Sequence, residues 1–382
     1  MSAMGARTAS NASSASAPAS ASTSTSASEP APSGPDRAAK RDRVLDLLDR
    51  RGASSLVLRS HTALAWYLDG ARTHVSLAGD PVLAAVVSRS GDELRVFANE
   101  ADRLLGEELG DLSGATVTEV PWYEALAPAG IAELEEADVA DELRAVRASL
   151  LPAELDRYRR LSREVAEALT DAATGARRSD TEREVAARLA GDLVARGIDP
   201  LVILVAGRAR LGHRHPLPTD ASIGDRAMLV VCGRRHGLIA NATRWVRWGA
   251  SPAEDAAQRR ILDVEAAFLD GTRVGGTIAE AFRAGITAYG PAGFDAEEWR
   301  RHHQGGAAGY AGRDPRATAA VADVVRERHA FAWNPTAPGA KVEDTVLVDD
   351  GGVEVLTVDP RWPVIDVGGR PRPIELVRVG LG

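Results

Sequence analysis

The sequence predicts an α+β protein in which an N-terminal tail precedes two folded domains. The chain has 382 residues, of which 45% are hydrophobic and 26% are charged, as in ordinary globular proteins. This length is sufficient for two domains, each with its own core. Because composition changes after the tail and a long helical pattern begins near residue 151, we expect units at 1–36, 37–150 and 151–382.

Residues 1–36 are almost entirely Ser, Ala, Thr and Pro around the stretch SNASSASAPASASTSTSASEPAPSGP. Such a segment cannot bury enough apolar surface to offset its conformational entropy, so we predict that it is disordered. It lacks the apolar region of a secretory signal. No apolar run of the chain approaches the ~20 residues that a membrane span requires.

Charge and cysteine content narrow the possible partners and the compartment. The formal net charge of −8, without a Lys/Arg run, argues against nucleic acid as a partner. The single cysteine, Cys232, excludes an intrachain disulfide and fits a reducing environment. We therefore predict a cytoplasmic protein with no nucleic-acid partner and no membrane partner.

The first domain is predicted to alternate helices and strands. Over 36–51, Val44, Leu47 and Leu48 repeat at helical spacing, and Gly52 stands where a C-terminal cap belongs. SSLVLRS reads as a strand, PVLAAVV and ELRVFA as a β-hairpin, and ATVTEV as a further strand.

The second domain is predicted to begin with the amphipathic helix PAELDRYRRLSREVAEALTDAA. Ser179 and Glu182 have the spacing of a capping box that opens a second helix through Ala195. PLVILVAG and AMLVVCG are buried strands, and GLIANATRWVRWG continues their sheet. Helices follow around 252–273 and 277–289, and AKVEDTVLVDDGGVEVLT is a hairpin that turns at DDGG.

Six segments, in this order along the chain, resemble the creatinase/aminopeptidase family (M24 type, pita-bread fold): TALAWYLDG, SDTEREVAARL, HRHPLPTD, VVCGRRHGLIANATR, HHQGGAAGY and GAKVEDTVLV. The resemblance covers nearly everything after the tail. It implies a creatinase-like N-terminal α/β domain, with TALAWYLDG as one of its strands, followed by a pita-bread domain of duplicated αβ halves. It also implies a homodimer in which Arg72 and His74 reach into the partner's cavity.

The family's peptidases hold two divalent metal ions, and the resemblance assigns the ligand positions to Val231, Asn241, Gly306, Asn334 and Glu343. Only Glu343 is a carboxylate. Two dications carry four positive charges, which one carboxylate cannot offset, and Val and Gly supply no ligand atom. We therefore predict no metal and no cofactor, and chemistry performed by His, Glu, Arg and Lys side chains.

Three histidines and the retained glutamate are the predicted catalytic residues. His302 and His303 are the first candidates, because imidazole both accepts and returns a proton near neutral pH. His215 matches a family histidine that assists proton transfer, and Glu343 is the remaining acidic group. A purely structural role for these histidines, as loop residues bonded to backbone carbonyls, stays open.

The predicted substrate-binding residues surround the same positions. Lys341 and Glu343 alternate with Val342, so both face one way on a strand, where Lys341 could stabilise an oxyanion. Arg244 is predicted to orient Glu343 or a substrate carboxylate. The remaining residues assigned to a small-molecule or peptide-like substrate are Asn241, Asn334, Gln304, Tyr310 and Arg313. Ion pairs and amides that only satisfy each other are the structural alternative.

The leading functional hypothesis is hydrolysis of a small amide, amidine or peptide-like C–N bond without metal. The alternatives are a pita-bread binding protein that has lost catalysis, as in histone-chaperone complexes, and an ordinary Xaa-Pro metallo-aminopeptidase. Two local alternatives also stay open. HRH and HH together could form a single-metal site, and Cys232 with His236 could form a nucleophile–base pair.

Overall fold

The computed structural model describes residues 35–110, 112 and 114–378. The predicted disorder of residues 1–36 falls on a segment that lies outside the described residues except at its last two positions. Helix α1 (Pro35–Arg51) follows, and it buries Val44, Leu47 and Leu48 as predicted. Gly52 ends the helix at φ 66°, a left-handed conformation that suits glycine.

A five-stranded sheet with the order β4-β3-β2-β1-β5 forms the N-terminal part. Strands β2 and β3 are the predicted antiparallel hairpin, whereas β3 with β4, and β1 with β5, run parallel. The bounds of these strands are β1 (Ser55–Leu58), β2 (Leu83–Ser88), β3 (Gly91–Phe97), β4 (Ala115–Val120) and β5 (Leu134–Glu135).

The segment TALAWYLDG is a helix, so its predicted strand assignment is wrong. Helix α2 (His61–Tyr67) begins where the Ser60 side chain accepts a hydrogen bond from the Ala63 backbone N–H, and all its residues from position 63 onward are buried. An apolar run of this length is compatible with either a buried strand or a buried helix, and the serine cap favours the helix. The other N-terminal helices are α3 (Ala101–Arg103) and α4 (Ala140–Arg147).

The first half of the C-terminal part packs two helices on a four-stranded sheet with the order β17-β8-β7-β6. The second helix is capped by Thr181 with Glu184, not by Ser179 with Glu182 as predicted. Both pairs have the capping-box spacing, so spacing alone cannot choose between them. The elements are α5 (Pro152–Gly175), α6 (Glu182–Ala195), β6 (Asp199–Gly207), β7 (Arg226–Arg235), β8 (Leu238–Trp248) and β17 (Leu376–Arg378).

The second half repeats this plan with two further helices and a sheet of order β14-β13-β10-β9. The predicted hairpin at DDGG is confirmed as the antiparallel pair β13 and β14. The elements are α7 (Pro252–Gly271), α8 (Ile278–Thr287), β9 (Gly305–Ala307), β10 (His329–Trp333), β13 (Asp344–Asp349) and β14 (Gly352–Val355). Two short pairs complete it, namely β11 (Thr336–Ala337) with β12 (Ala340–Lys341), and β15 (Val364–Val367) with β16 (Arg370–Pro373).

The two halves meet where β8 approaches the start of β13. There the Thr243 backbone N–H donates to the Glu343 carbonyl at 2.9 Å. The helices, strands and their duplication are the predicted α+β architecture, and the boundary between residues 150 and 151 stays a prediction. In the described part of the chain, every helix is too short or too polar to span a bilayer.

Candidate functional site

Side chains from four segments converge at the junction of the two halves. His215 lies in the loop after β6, and His302 and His303 lie in the loop before β9. Glu343 stands immediately before β13, and Thr243 lies on β8. These segments are up to 128 residues apart in sequence, so only the duplicated fold brings them together.

The three predicted histidines form one cluster. Each offers a ring nitrogen, and the three nitrogens lie within 4.8 Å of one another. The Nε2 atoms of His302 and His215 are 3.2 Å apart, and the rings of His302 and His303 stack with centroids separated by 4.4 Å. His302 is buried, His303 is partly buried and His215 is exposed, so the cluster opens to solvent on one side.

Glu343 is held by two cations and a hydroxyl. Its carboxylate accepts hydrogen bonds from Arg313 at 2.6 Å, Lys341 at 3.0 Å and the Thr243 hydroxyl at 3.1 Å. Burial alone would raise the pKa of this group, but Lys341 and Arg313 outweigh burial and lower the pKa of Glu343 to about 2. Glu343 is therefore a permanent anion rather than a proton carrier near neutral pH.

The histidines are kept neutral. Burial, followed by the charge of Lys341, lowers the pKa of His302 to about 3. Burial, with Arg313 and Arg316 nearby, lowers the pKa of His303 to about 4. The pKa of His215 is also lowered, by burial and then by Lys341. Neutral imidazoles have free lone pairs that can bind an ion or accept a proton during a reaction, although such low pKa values make His302 and His303 weak bases near neutral pH.

Lys341 is unusual in the composition of this chain. Of 46 basic residues only two are lysines, Lys40 and Lys341, and both are buried against carboxylates. A lysine ammonium is a compact charge with three donors, whereas a guanidinium is a planar fork. At Lys341 one donor reaches Glu343 at 3.0 Å, so the two side chains lie on the same side.

Asn241 and Asn334 keep polar atoms available. Both side chains are buried, and each has an Oδ1 atom without a hydrogen-bond partner among the described residues. Asn241 lies two positions before Thr243 on β8 and therefore on the same face of the strand. A buried carbonyl oxygen without a partner is costly, so such an atom is suited to receive a donor from a ligand.

Three predicted substrate-binding residues, Arg244, Gln304 and Tyr310, form hydrogen bonds with other groups of the protein. Arg244 donates to Asp344 at 2.8 Å rather than to Glu343, because neighbouring residues of a strand face opposite sides. The Gln304 side chain accepts from Tyr289 at 2.6 Å and donates to two backbone carbonyls.

Tyr310 donates to the buried Glu154 at 2.6 Å, away from the histidine cluster. In the same network Lys40 contacts Glu154 at 2.9 Å, which joins α1 to α5. Arg313, by contrast, lies at the cluster through its bond with Glu343.

The other candidates do not join the cluster. Burial raises the pKa of the Cys232 thiol to about 12, so it is not a thiolate near neutral pH, which argues against the pair with His236. Arg72 already donates to Glu108 at 2.6 Å within the chain, and the His74 ring lies 5.8 Å from that of His61.

A cavity of about 210 Å³ adjoins Lys341, and the sequence reasoning missed it. Its walls include Met228 and Trp245, together with Arg301, the residue before His302. Trp245 donates its indole N–H to the Lys341 carbonyl at 2.8 Å. Trp245 lies two positions after Thr243 on β8, so strand alternation could have placed it on the same face as Thr243.

The sequence matches no family model, and it matches no curated protein sequence. Solved structures are similar. The prolidase from Pyrococcus horikoshii OT3 has a TM-score of 0.70 at 17% identity, covering 85% of this chain and 99% of that one. The dipeptidase PepE from Mycobacterium ulcerans has a TM-score of 0.72 at 19% identity, covering 90% and 98%.

The N-terminal domain of the FACT complex subunit SPT16 from Cicer arietinum is also similar, with a TM-score of 0.62 at 11% identity, covering 85% of this chain and 97% of that one. The chain thus has the fold of M24 prolidases, with an N-terminal domain and a C-terminal pita-bread domain, as predicted. Identities this low establish a shared fold, and a fold alone does not define a reaction.

Proposed function

We propose that this chain is an M24-like hydrolase that cleaves a small amide, amidine or peptide-like C–N bond. The observation that carries the proposal is the contact between His302 and His215 beside the ion pair of Lys341 and Glu343. A neutral base, a cation and a fixed anion at the edge of a cavity are the groups that acyl transfer to water requires.

We further infer that the reaction does not use the paired metal ions of the family's peptidases. The five corresponding positions offer one carboxylate, and Lys341 and Arg313 already neutralise it. At Gly306 a Cβ atom would lie 2.4 Å from the Pro315 carbonyl oxygen, so there is no room for a ligand side chain. Two dications would meet too little negative charge and too few ligand atoms to bind.

In the proposed reaction, His302 with His215 removes a proton from water as its oxygen forms a bond to the substrate's carbonyl or amidine carbon. The Lys341 ammonium, with Glu343 fixing its position, stabilises the negative charge that develops on the former carbonyl oxygen. The imidazolium then returns the proton to the leaving nitrogen as the C–N bond breaks. Asn241 and Asn334, with their available oxygens, are the proposed contacts to the substrate's N–H groups.

The test is hydrolysis of a panel of small amides, amidines and dipeptides by protein freed of metal with a chelator. His302→Ala should lower kcat/KM at least about 100-fold, the usual range for loss of a general base. Glu343→Gln should also lower it, because Lys341 loses the anion that fixes its position. The matched control is His61→Ala, a histidine of the N-terminal part whose ring contacts the Gly79 carbonyl. Full turnover in both site variants, or turnover only after two metal ions per chain are restored, would refute the proposal.

The second candidate is a binding protein without catalysis. The similarity to the N-terminal domain of a FACT complex subunit, which covers 85% of this chain, is the observation that favours it. A thermal shift on adding amides or peptides, with no turnover of any of them, would support this alternative. An ordinary metallo-aminopeptidase is the third candidate, and two stoichiometric metal ions in the purified protein would support it.

We also propose a cytoplasmic homodimer that acts on a small-molecule or peptide-like substrate. The single Cys232 favours a reducing compartment. Arg72 and His74 remain the candidates to cross the subunit interface, although Arg72 would have to share or leave Glu108 to do so. Light scattering of the purified chain tests the dimer directly, and a monomer mass at micromolar concentration would contradict it.

A further inference from the structure

The histidine cluster has the dimensions of a metal site. A zinc ion binds imidazole nitrogens at ~2.0–2.1 Å in a tetrahedron, which separates two ligand nitrogens by about 3.3 Å. The Nε2 atoms of His302 and His215 are 3.2 Å apart. With all three nitrogens within 4.8 Å of one another, rotation of the partly buried His303 and the exposed His215 would close the remaining gap.

One ring nitrogen of the cluster is available to a ligand. The Nδ1 atom of His303 is buried and has no hydrogen-bond partner among the described residues. Buried polar atoms are normally hydrogen-bonded, so a bound ion that received this lone pair would satisfy it.

We propose that His215, His302 and His303 bind one divalent transition-metal ion of the class that prefers nitrogen ligands, such as Zn²⁺ or Co²⁺. The ion would have three protein ligands and an open fourth position toward the solvent side of His215. This is a different site from the dinuclear centre of the family's peptidases, whose ligand positions are occupied here by Val231, Asn241, Gly306, Asn334 and Glu343.

The surrounding charges select the kind of ion. Lys341, Arg313 and Arg316 are positive and Glu343 is negative near the imidazoles. The single carboxylate near the cluster, Glu343, is already paired with Arg313 and Lys341. Hard ions that depend on oxygen ligands, such as Mg²⁺ and Ca²⁺, should therefore bind weakly. Ions that form strong bonds to neutral imidazole can still bind.

Binding and the proposed hydrolysis compete for the same lone pairs. A nitrogen that binds an ion cannot accept a proton from water, so occupancy should inhibit the metal-free reaction. This consequence rests on the proposed function, but the binding itself does not.

The experiment is a Co²⁺ titration of the full chain, prepared without a polyhistidine tag and freed of metal, followed by the visible absorption of tetrahedral cobalt and by calorimetry. We expect one Co²⁺ per chain, displaced by Zn²⁺, and no heat with Mg²⁺. The exposed-residue variant His215→Asn should weaken binding at least about 10-fold, and His302→Asn should do the same. His213→Asn, in the same loop, should bind like the unchanged protein.

Absence of stoichiometric cobalt binding, or equal binding by His215→Asn and the unchanged protein, would overturn the metal site. Thermal unfolding with and without Zn²⁺ gives a second readout that also confirms that each variant is folded. No step of these measurements needs substrate, so a failed titration leaves the hydrolysis proposal standing. If the protein binds Co²⁺ as expected but hydrolyses none of the substrates, only the hydrolysis proposal is refuted.

Discussion

Glu343 shows how one side chain organises its surroundings. Its two oxygens bind Arg313, Lys341 and Thr243, so three segments depend on one negative charge. The same-side placement of Lys341 and Glu343 could be predicted from strand alternation. The bond with Arg313 could not, because it depends on how a glycine-rich loop folds back over 30 residues.

Stability should depend on pH through Glu343. Its folded pKa of about 2 lies below the ordinary value of 4.5, so its contribution is present above pH 4.5 and is lost as the pH falls toward 2. Between pH 6 and pH 3 the unchanged protein should lose about 2 kcal/mol more unfolding free energy than Glu343→Gln. Urea unfolding at both pH values measures this difference.

The control for this comparison is Glu107→Gln, at an exposed position. This variant should show the same pH dependence as the unchanged protein. Parallel curves for the unchanged protein and Glu343→Gln would show that the charge of Glu343 is not stabilised in the folded state.

The sequence could predict the three histidines as candidates but not the contacts between them. The pair at 302 and 303 was visible as a motif, and His215 entered through the resemblance. Nothing in the spacing of 87 residues between His215 and His302 predicts a 3.2 Å contact. Arg244 forms an ion pair with Asp344, the structural alternative that the sequence left open, because Glu343 and Asp344 are adjacent in sequence but face different sides.

At the scale of elements, most helices and strands follow from local patterns. The helix over Pro35–Arg51, the hairpin of β2 and β3, and the hairpin at DDGG agree with their predictions because period and turn residues are local signals. Helix α2 does not, because an apolar run as short as ALAWYL has no decisive period. The start of α6 was misplaced because two capping boxes overlap.

Substitutions before α6 can show which of the two capping boxes stabilises the helix. The Thr181 hydroxyl accepts from the Glu184 backbone N–H at 3.1 Å, so Thr181→Ala should lower the unfolding free energy by about 1 kcal/mol. Ser179→Ala, at an exposed position before the helix, should change it by less than about 0.5 kcal/mol. Denaturant unfolding of both variants is the measurement, and equal losses would contradict the observed cap.

For the whole molecule, buried ion pairs connect distant parts of the chain. Lys40 on α1 reaches Asp69 at 2.5 Å and Glu154 on α5 at 2.9 Å, and Tyr310 donates to the same Glu154. Sequence patterns did not reveal this network, because its members are separated by up to 270 residues. The tertiary fold was recognisable only because the order of short motifs matched a known architecture.

Removal of the Lys40 charge should destabilise the whole chain. Lys40→Met leaves two buried carboxylates without their cation, which should cost about 3–5 kcal/mol of unfolding free energy. Arg50→Met, at an exposed position on the same helix, should cost less than about 0.5 kcal/mol. If thermal and denaturant unfolding of Lys40→Met matched those of the Arg50 variant, the network would not be a stabilising element.

The two lysines also determine how the folded protein reacts with amine-directed reagents. Both ammonium groups are almost fully shielded, with Lys40 0% and Lys341 3% exposed. Activated esters should therefore leave the side chains of the native protein largely unmodified. Acylation at Lys341, mapped by mass spectrometry, would report transient opening around Glu343 with almost no background from other side chains.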